Sequence, residues 1–86
     1  MPRISAFYGI VIAMYHREHG VPHFHARYSG SQASISIETL EVLSGSLPPR
    51  ALPLVRTWHR LHHEELESAW EQTKAGQPPA TIEPLS

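Results

Sequence analysis

The chain has 86 residues, 41% hydrophobic and 17% charged, with no cysteine and a net charge of −1 when its seven histidines are neutral. That length makes one small domain, residues 1–86, with a modest core and no disulfide to brace it. The low net charge argues against nucleic-acid binding by bulk electrostatics, and no stretch approaches the roughly 20 apolar residues a membrane helix needs.

The opening "MPRISAFYGIVIAMY" lacks the features of a signal peptide, because its apolar run is short, interrupted by Gly9 and followed by no small-residue cleavage site. The expected location is therefore cytoplasmic. "GIVIAMY" (9–15) reads as a strand, β-branched and aromatic, and both of its alternating sets are apolar. "EHGVP" (18–22) is a loop punctuated by Gly20 and Pro22. "HFHARYS" (23–29) alternates, with His23, His25 and Arg27 on one face and Phe24, Ala26 and Tyr28 on the other. After the "GSQ" turn, "ASISIE" (33–38) alternates again, and "VLSGSLP" (42–48) reads as a short extension and a turn.

From Pro48 to Ala75 the pattern becomes helical, with prolines near its start, Lys74 in its last turn and Gly76 as its stop. The tail "QPPATIEPLS" is Pro-rich and extended, with Ile82 and Leu85 placed to dock on the domain. The expected fold is α+β: a three-stranded antiparallel sheet followed by one long C-terminal helix packed on it. One helix covers one sheet face only, so a strand apolar on both faces asks for the N-terminal arm, the tail or a second chain as cover. A homo-oligomer or a hetero-complex is the expected state.

Charge is divided along the chain. Residues 1–60 carry six arginines and three glutamates, whereas 61–86 carry Lys74 and five glutamates. On a helical wheel Ala51, Val55, Leu66, Ala69 and Thr73 share one arc, with His62 near its middle, His59 at its edge and His63 further out. His62 is therefore expected to face the sheet, either as a hydrogen-bonded core histidine or as a rigidly held site residue.

His23 and His25 project from one strand face. Such a pair can bind a metal ion, or it can place a base and an acid across a substrate. It can equally decorate the polar face of an edge strand. His19 is close enough in the chain to add a third imidazole, and His19, His23 and His25 with a water would suit zinc or another divalent metal. Arg27 continues the face of His23 and His25, so the row resembles an anion or phosphate site as much as a metal site, an arginine being electrostatically awkward beside a metal ion. If Phe24, Ala26 and Tyr28 face the helix, His23 and His25 face away from His62. "HHEEL" lacks H-E-x-x-H spacing, and no G-x-S-x-G or Gly-rich phosphate loop occurs.

Taken together, "MPRIS-FYGI-I-MY", "HGVPHFH" (19–25), "TLEVLSGSLPPRA" and the W-x-x-x-H-x-x-EL pattern from Trp58 resemble domain-of-unknown-function family 4160, small bacterial and archaeal proteins. The resemblance runs from Met1 to about Leu85 and rests on His19, Pro22, His23, Phe24, His25, Trp58, His62, Glu65 and Leu66. Val21 stands where the family loop has the first of two prolines, and His16, His59 and His63 fall outside the motif. The resemblance implies the toxin component of a two-gene toxin–antitoxin-like module, with a neighbouring antitoxin or regulator as partner. Joined to the histidine cluster, it makes a metal-independent ribonuclease the expected activity. In that scheme His23 or His25 takes the 2′-hydroxyl proton of an RNA substrate, His19 or His62 protonates the leaving oxygen, and Arg27 stabilises the phosphorane. The alternative expectation is a non-catalytic metal-binding or adaptor protein that pairs with its neighbour. A recognition-helix signature for DNA is not visible.

Overall fold

The computed structural model describes residues 3–15 and 20–86. The chain forms five strands and then two helices: β1 (Arg3–Phe7), β2 (Ile10–Ala13), β3 (His23–Tyr28), β4 (Ser31–Ser36), β5 (Val42–Gly45), α1 (Leu52–Leu61) and α2 (His63–Lys74). The strands pair antiparallel in the order β1-β2-β3-β4-β5. The expected three-stranded sheet with one long helix is thus corrected at three places.

Each correction has a local cause. In β1 a register irregularity falls between Arg3 and Ser5, so Ile4 and Ser5 are both buried and the alternation that marks a strand is lost. β5 is an edge strand whose residues are mostly exposed, so no apolar period announces it. The helix breaks at His62, which has φ −127° and ψ 27° and whose N–H is shared between the carbonyls of Trp58 and His59, 3.1 Å from each. The break contains neither glycine nor proline, the residues that signal one in a sequence.

The turns follow elementary backbone rules. Tyr8 and Gly9 both have positive φ, the requirement of a two-residue type I′ hairpin between Phe7 and Ile10. A second tight turn at Ser29 and Gly30 sets Tyr28 opposite Ser31 and thereby His25 opposite Ser34. α1 starts at Leu52 with Pro53 in its first turn, where a missing N–H costs nothing. α2 stops at a Schellman motif. Gly76 has φ +78°, its N–H reaches Thr73 O at 3.1 Å, and the Gln77 N–H reaches Gln72 O at 2.8 Å.

One sheet face carries the core. Ile10, Ile12, Phe24, Ala26, Ala33 and Ile35 pack with Val55 and Trp58 of α1 and with Leu66, Ala69 and Trp70 of α2. Trp58 sits at the centre, 5.4 Å from the Phe7 ring and 5.9 Å from the Phe24 ring. The tail adds a final layer. The Ile82 N–H donates to Ile4 O at 2.7 Å, Ala80 N–H donates to Gln72 Oε1 at 2.8 Å, and Trp58 Nε1–H donates to Glu83 O at 2.9 Å. Ile82 is buried and Leu85 packs against the core, so the tail also shields the outer edge of β1. On the other face of β2, Ala13 is buried and Val11 is half-buried.

Two glycines with similar φ predict different costs. A Cβ at Gly45 (φ +74°) would lie 2.1 Å from the backbone carbonyl oxygen of Gln32, whereas one at Gly76 would meet nothing. Gly45→Ala is expected to destabilise the fold by about 2–4 kcal/mol and Gly76→Ala by only about 1 kcal/mol, read from urea unfolding midpoints.

Candidate functional site

The pleat of β3 places His23, His25 and Arg27 on the face opposite Phe24, Ala26 and Tyr28. His23 is buried, at 9% exposure, whereas His25 is half-buried and Arg27 is exposed. The imidazole rings of His23 and His25 lie 5.2 Å apart, nearly edge to face. His23 also stands 5.2 Å from the Trp70 ring, and the Tyr15 ring meets His25 edge-on at 4.5 Å. Two residues on this face, Tyr15 and Ser34, and Trp70 of α2 were not singled out as site residues by the sequence. The two-residue turn at Ser29-Gly30 carried the signal for Ser34, because it pairs position 25 with position 34.

Hydrogen bonds assign the nitrogens. Nδ1 of His23 lies 2.8 Å from Val21 O, and a carbonyl can only accept, so Nδ1 carries the proton. In the neutral ring the lone pair is then on Nε2, directed away from Val21. Ser34 Oγ lies 3.2 Å from Nδ1 of His25, a contact that serves either tautomer because a hydroxyl both donates and accepts. A base oriented by a fixed acceptor beside a second, more exposed imidazole is an arrangement suited to proton transfer. A backbone carbonyl on one imidazole nitrogen also suits metal ligation by the other. His19, the third residue of the expected zinc set and a candidate acid, lies outside the described residues. Among the described residues no group of three or more metal-binding side chains, as they stand, is placed to hold an ion.

His62 does not join this cluster. It sits at the helix break, its ring 5.7 Å from Trp58 and its Nδ1 2.6 Å from Glu65 Oε1. Trp58 packs on Phe24, so His62 belongs to the helical side of the sheet and His25 to the other. The histidine that the core encloses is His59, at 6% exposure, with Nε2 2.5 Å from Ile37 O and its ring stacked 6.2 Å from Phe24. The wheel arc placed Ala51, Val55, Leu66, Ala69 and Thr73 correctly, since all are buried. It assigned the inward histidine to position 62, but His62 has non-helical backbone angles and His59, which the wheel put at the edge of the arc, is the buried one.

Burial holds the pKa of His59 below its ordinary 6.5, the Ile37 carbonyl opposes that shift, and His63 and Arg60 add to it. A lowered folded-state pKa means that the unfolded chain binds the proton first. Stability therefore falls as pH drops below about 6.5 and stops falling once the folded form is protonated too. In chelated buffer, melting temperatures between pH 7 and pH 5 are expected to fall more steeply for the wild type than for His59→Gln. The glutamine amide can donate to Ile37 O without titrating.

No curated protein and no solved structure matches the chain. A family model does, over residues 9–71, which run from the first hairpin turn through β2–β5 and α1 into α2 and include the His23–His25 pair. That is most of the chain, and the protein therefore belongs to the family described as "Domain of unknown function (DUF4160)".

Proposed function

We propose that the protein is the toxin-like component of a two-gene module and that the His23–His25–Arg27 face is its working surface. One observation carries the reading: two imidazoles 5.2 Å apart share a face of β3, opposite Phe24 and Ala26, with an exposed arginine. The chemistry that fits is metal-independent cleavage of an RNA phosphodiester. His23, oriented by Val21 O, takes the 2′-hydroxyl proton through Nε2 as the O2′–P bond forms. His25, the more exposed of the two, acts as its doubly protonated imidazolium and gives a proton to the leaving O5′ as the P–O5′ bond breaks. Arg27 neutralises the charge on the phosphoryl oxygens. His62 has no part in this version, because its ring packs on Trp58 and bonds Glu65. A neighbouring antitoxin or regulator covering this face would silence it.

Induced expression of the untagged protein in bacteria is expected to arrest growth and shorten cellular RNA. The His23→Ala/His25→Ala variant at matched soluble level does neither, and Arg27→Ala is weakened by about 10²-fold or more in purified cleavage assays. Arrest that persists in the double variant would remove the catalytic role.

A second reading, a non-catalytic adaptor that pairs with a neighbouring protein or with its own copy, draws support from β5. Its outer edge meets no strand among the described residues, and Leu43 is 42% exposed. No growth arrest by the wild type, together with a stable complex lost on Leu43→Lys, would favour it. Among the described residues no helix is long and apolar enough to cross a membrane.

A further inference from the structure

Two histidines outside the proposed working surface carry a separate feature. His59 and His63 stand four residues apart across the helix break, with ring centroids 5.1 Å from each other. Nδ1 of His59 and Nε2 of His63 are both buried, and neither has a hydrogen-bond partner. Buried imidazole nitrogens with nothing to bond are uncommon, and two on adjacent rings call for a shared cause.

The tautomer of His59 is assigned by its other nitrogen. Nε2 bonds to Ile37 O, a carbonyl that only accepts, so Nε2 carries the proton and the neutral ring presents a lone pair at Nδ1. This is how a protein orients an imidazole for a metal, with the far nitrogen tied to a backbone oxygen. The spacing agrees. With Zn–N bonds of ~2.0–2.1 Å and tetrahedral angles, the ring centroids of two ligating histidines lie about 5.2 Å apart. The observed separation is 5.1 Å.

A carboxylate stands beside the pair. Glu67 Oε2 is 3.6 Å from His63 Nε2, too long for a hydrogen bond. Two atoms ligating one tetrahedral zinc are about 3.4 Å apart, so a small rotation of this half-exposed side chain would make it a ligand. Glu67 also lines a cleft of about 360 Å³ with Glu38, Glu71, Trp70 and Pro22. That acidic cleft favours the approach of a cation, and the exposed Arg60 nearby opposes it.

We infer that His59 Nδ1 and His63 Nε2 form a two-histidine clamp for a divalent transition-metal ion, completed by Glu67 and water. The three residues lie on the helical side of the molecule, on α1 and α2, and the clamp is independent of the His23–His25 pair. Its role is structural: it ties α1 to α2 across the break at His62, where the backbone hydrogen-bond ladder is irregular.

Zinc sulfate is the probe, titrated into untagged, chelator-stripped full-length protein and followed by calorimetry and thermal melting. The wild type is expected to bind zinc and to melt several degrees higher with it, a gain that chelator reverses. His63→Gln removes one equivalent, or weakens it by at least about tenfold, while its metal-free melting temperature stays near wild type because His63 is partly exposed. Glu67→Gln weakens the same equivalent less. His23→Gln/His25→Gln retains it. A wild type that takes up no zinc overturns the inference, as does an equivalent that survives His63→Gln and vanishes in the His23→Gln/His25→Gln variant.

Discussion

The pleat of β3 is the constraint on which the molecule turns. Successive side chains of a strand leave on opposite sides. Phe24 and Ala26 therefore go into the core, and His23, His25 and Arg27 go to the other face. Phe24 is fully buried against Trp58 and His59, which couples the strand to α1. A slip of one residue would drive two imidazoles and a guanidinium into the core, where unpaired polar groups are costly. The packing that stabilises the fold and the placement of His23, His25 and Arg27 on the other face are thus one event, read from two sides of the same backbone.

The helix break at His62 divides the histidines a second time. An uninterrupted helix would carry His62 inward on the arc of Val55 and Leu66. The break instead leaves it beside Trp58 with Glu65 on its Nδ1, and His59 takes the interior position against Ile37 O. The described histidines fall into three environments. His23 and His25 hold the sheet face, His59 and His63 span the break, and His62 hydrogen-bonds Glu65 on the helical side. A pooled count of imidazoles suggests one centre, but the layers of the fold separate them.

The two sheet edges are treated differently. The outer side of β1 is met by the tail through Ile82, whose burial and hydrogen bond to Ile4 make the last ten residues part of the domain. The outer side of β5 carries Leu43 and meets no further strand among the described residues. A small domain has little surplus burial energy, so using its tail to close one edge is an efficient way to complete the core. The strand apolar on both faces finds its cover unevenly. Ile10, Ile12 and Met14 are fully enclosed, and on the reverse the small Ala13 is enclosed while Val11 is half-buried.

Local pattern was enough for three of the strands, for helix within residues 48–75 (where α1 and α2 lie), the Gly76 stop, the docking of Ile82 and the common face of His23, His25 and Arg27. Each depends on period or on a single residue's backbone preference, and both can be read along a chain. Period was silent at β1, where an irregular register breaks the alternation, and at β5, where an edge strand has no buried face to display. It misled at His62, where the backbone leaves helical geometry with no glycine or proline to announce it, although Leu66, Ala69 and Thr73 beyond the break keep the buried arc. The sequence by itself determined which residue types gather on β3 and that its two sides differ. Only the tertiary structure decided which histidines meet, because that depends on which layer covers each face and where the helix turns, and both are set by packing between elements distant in the chain.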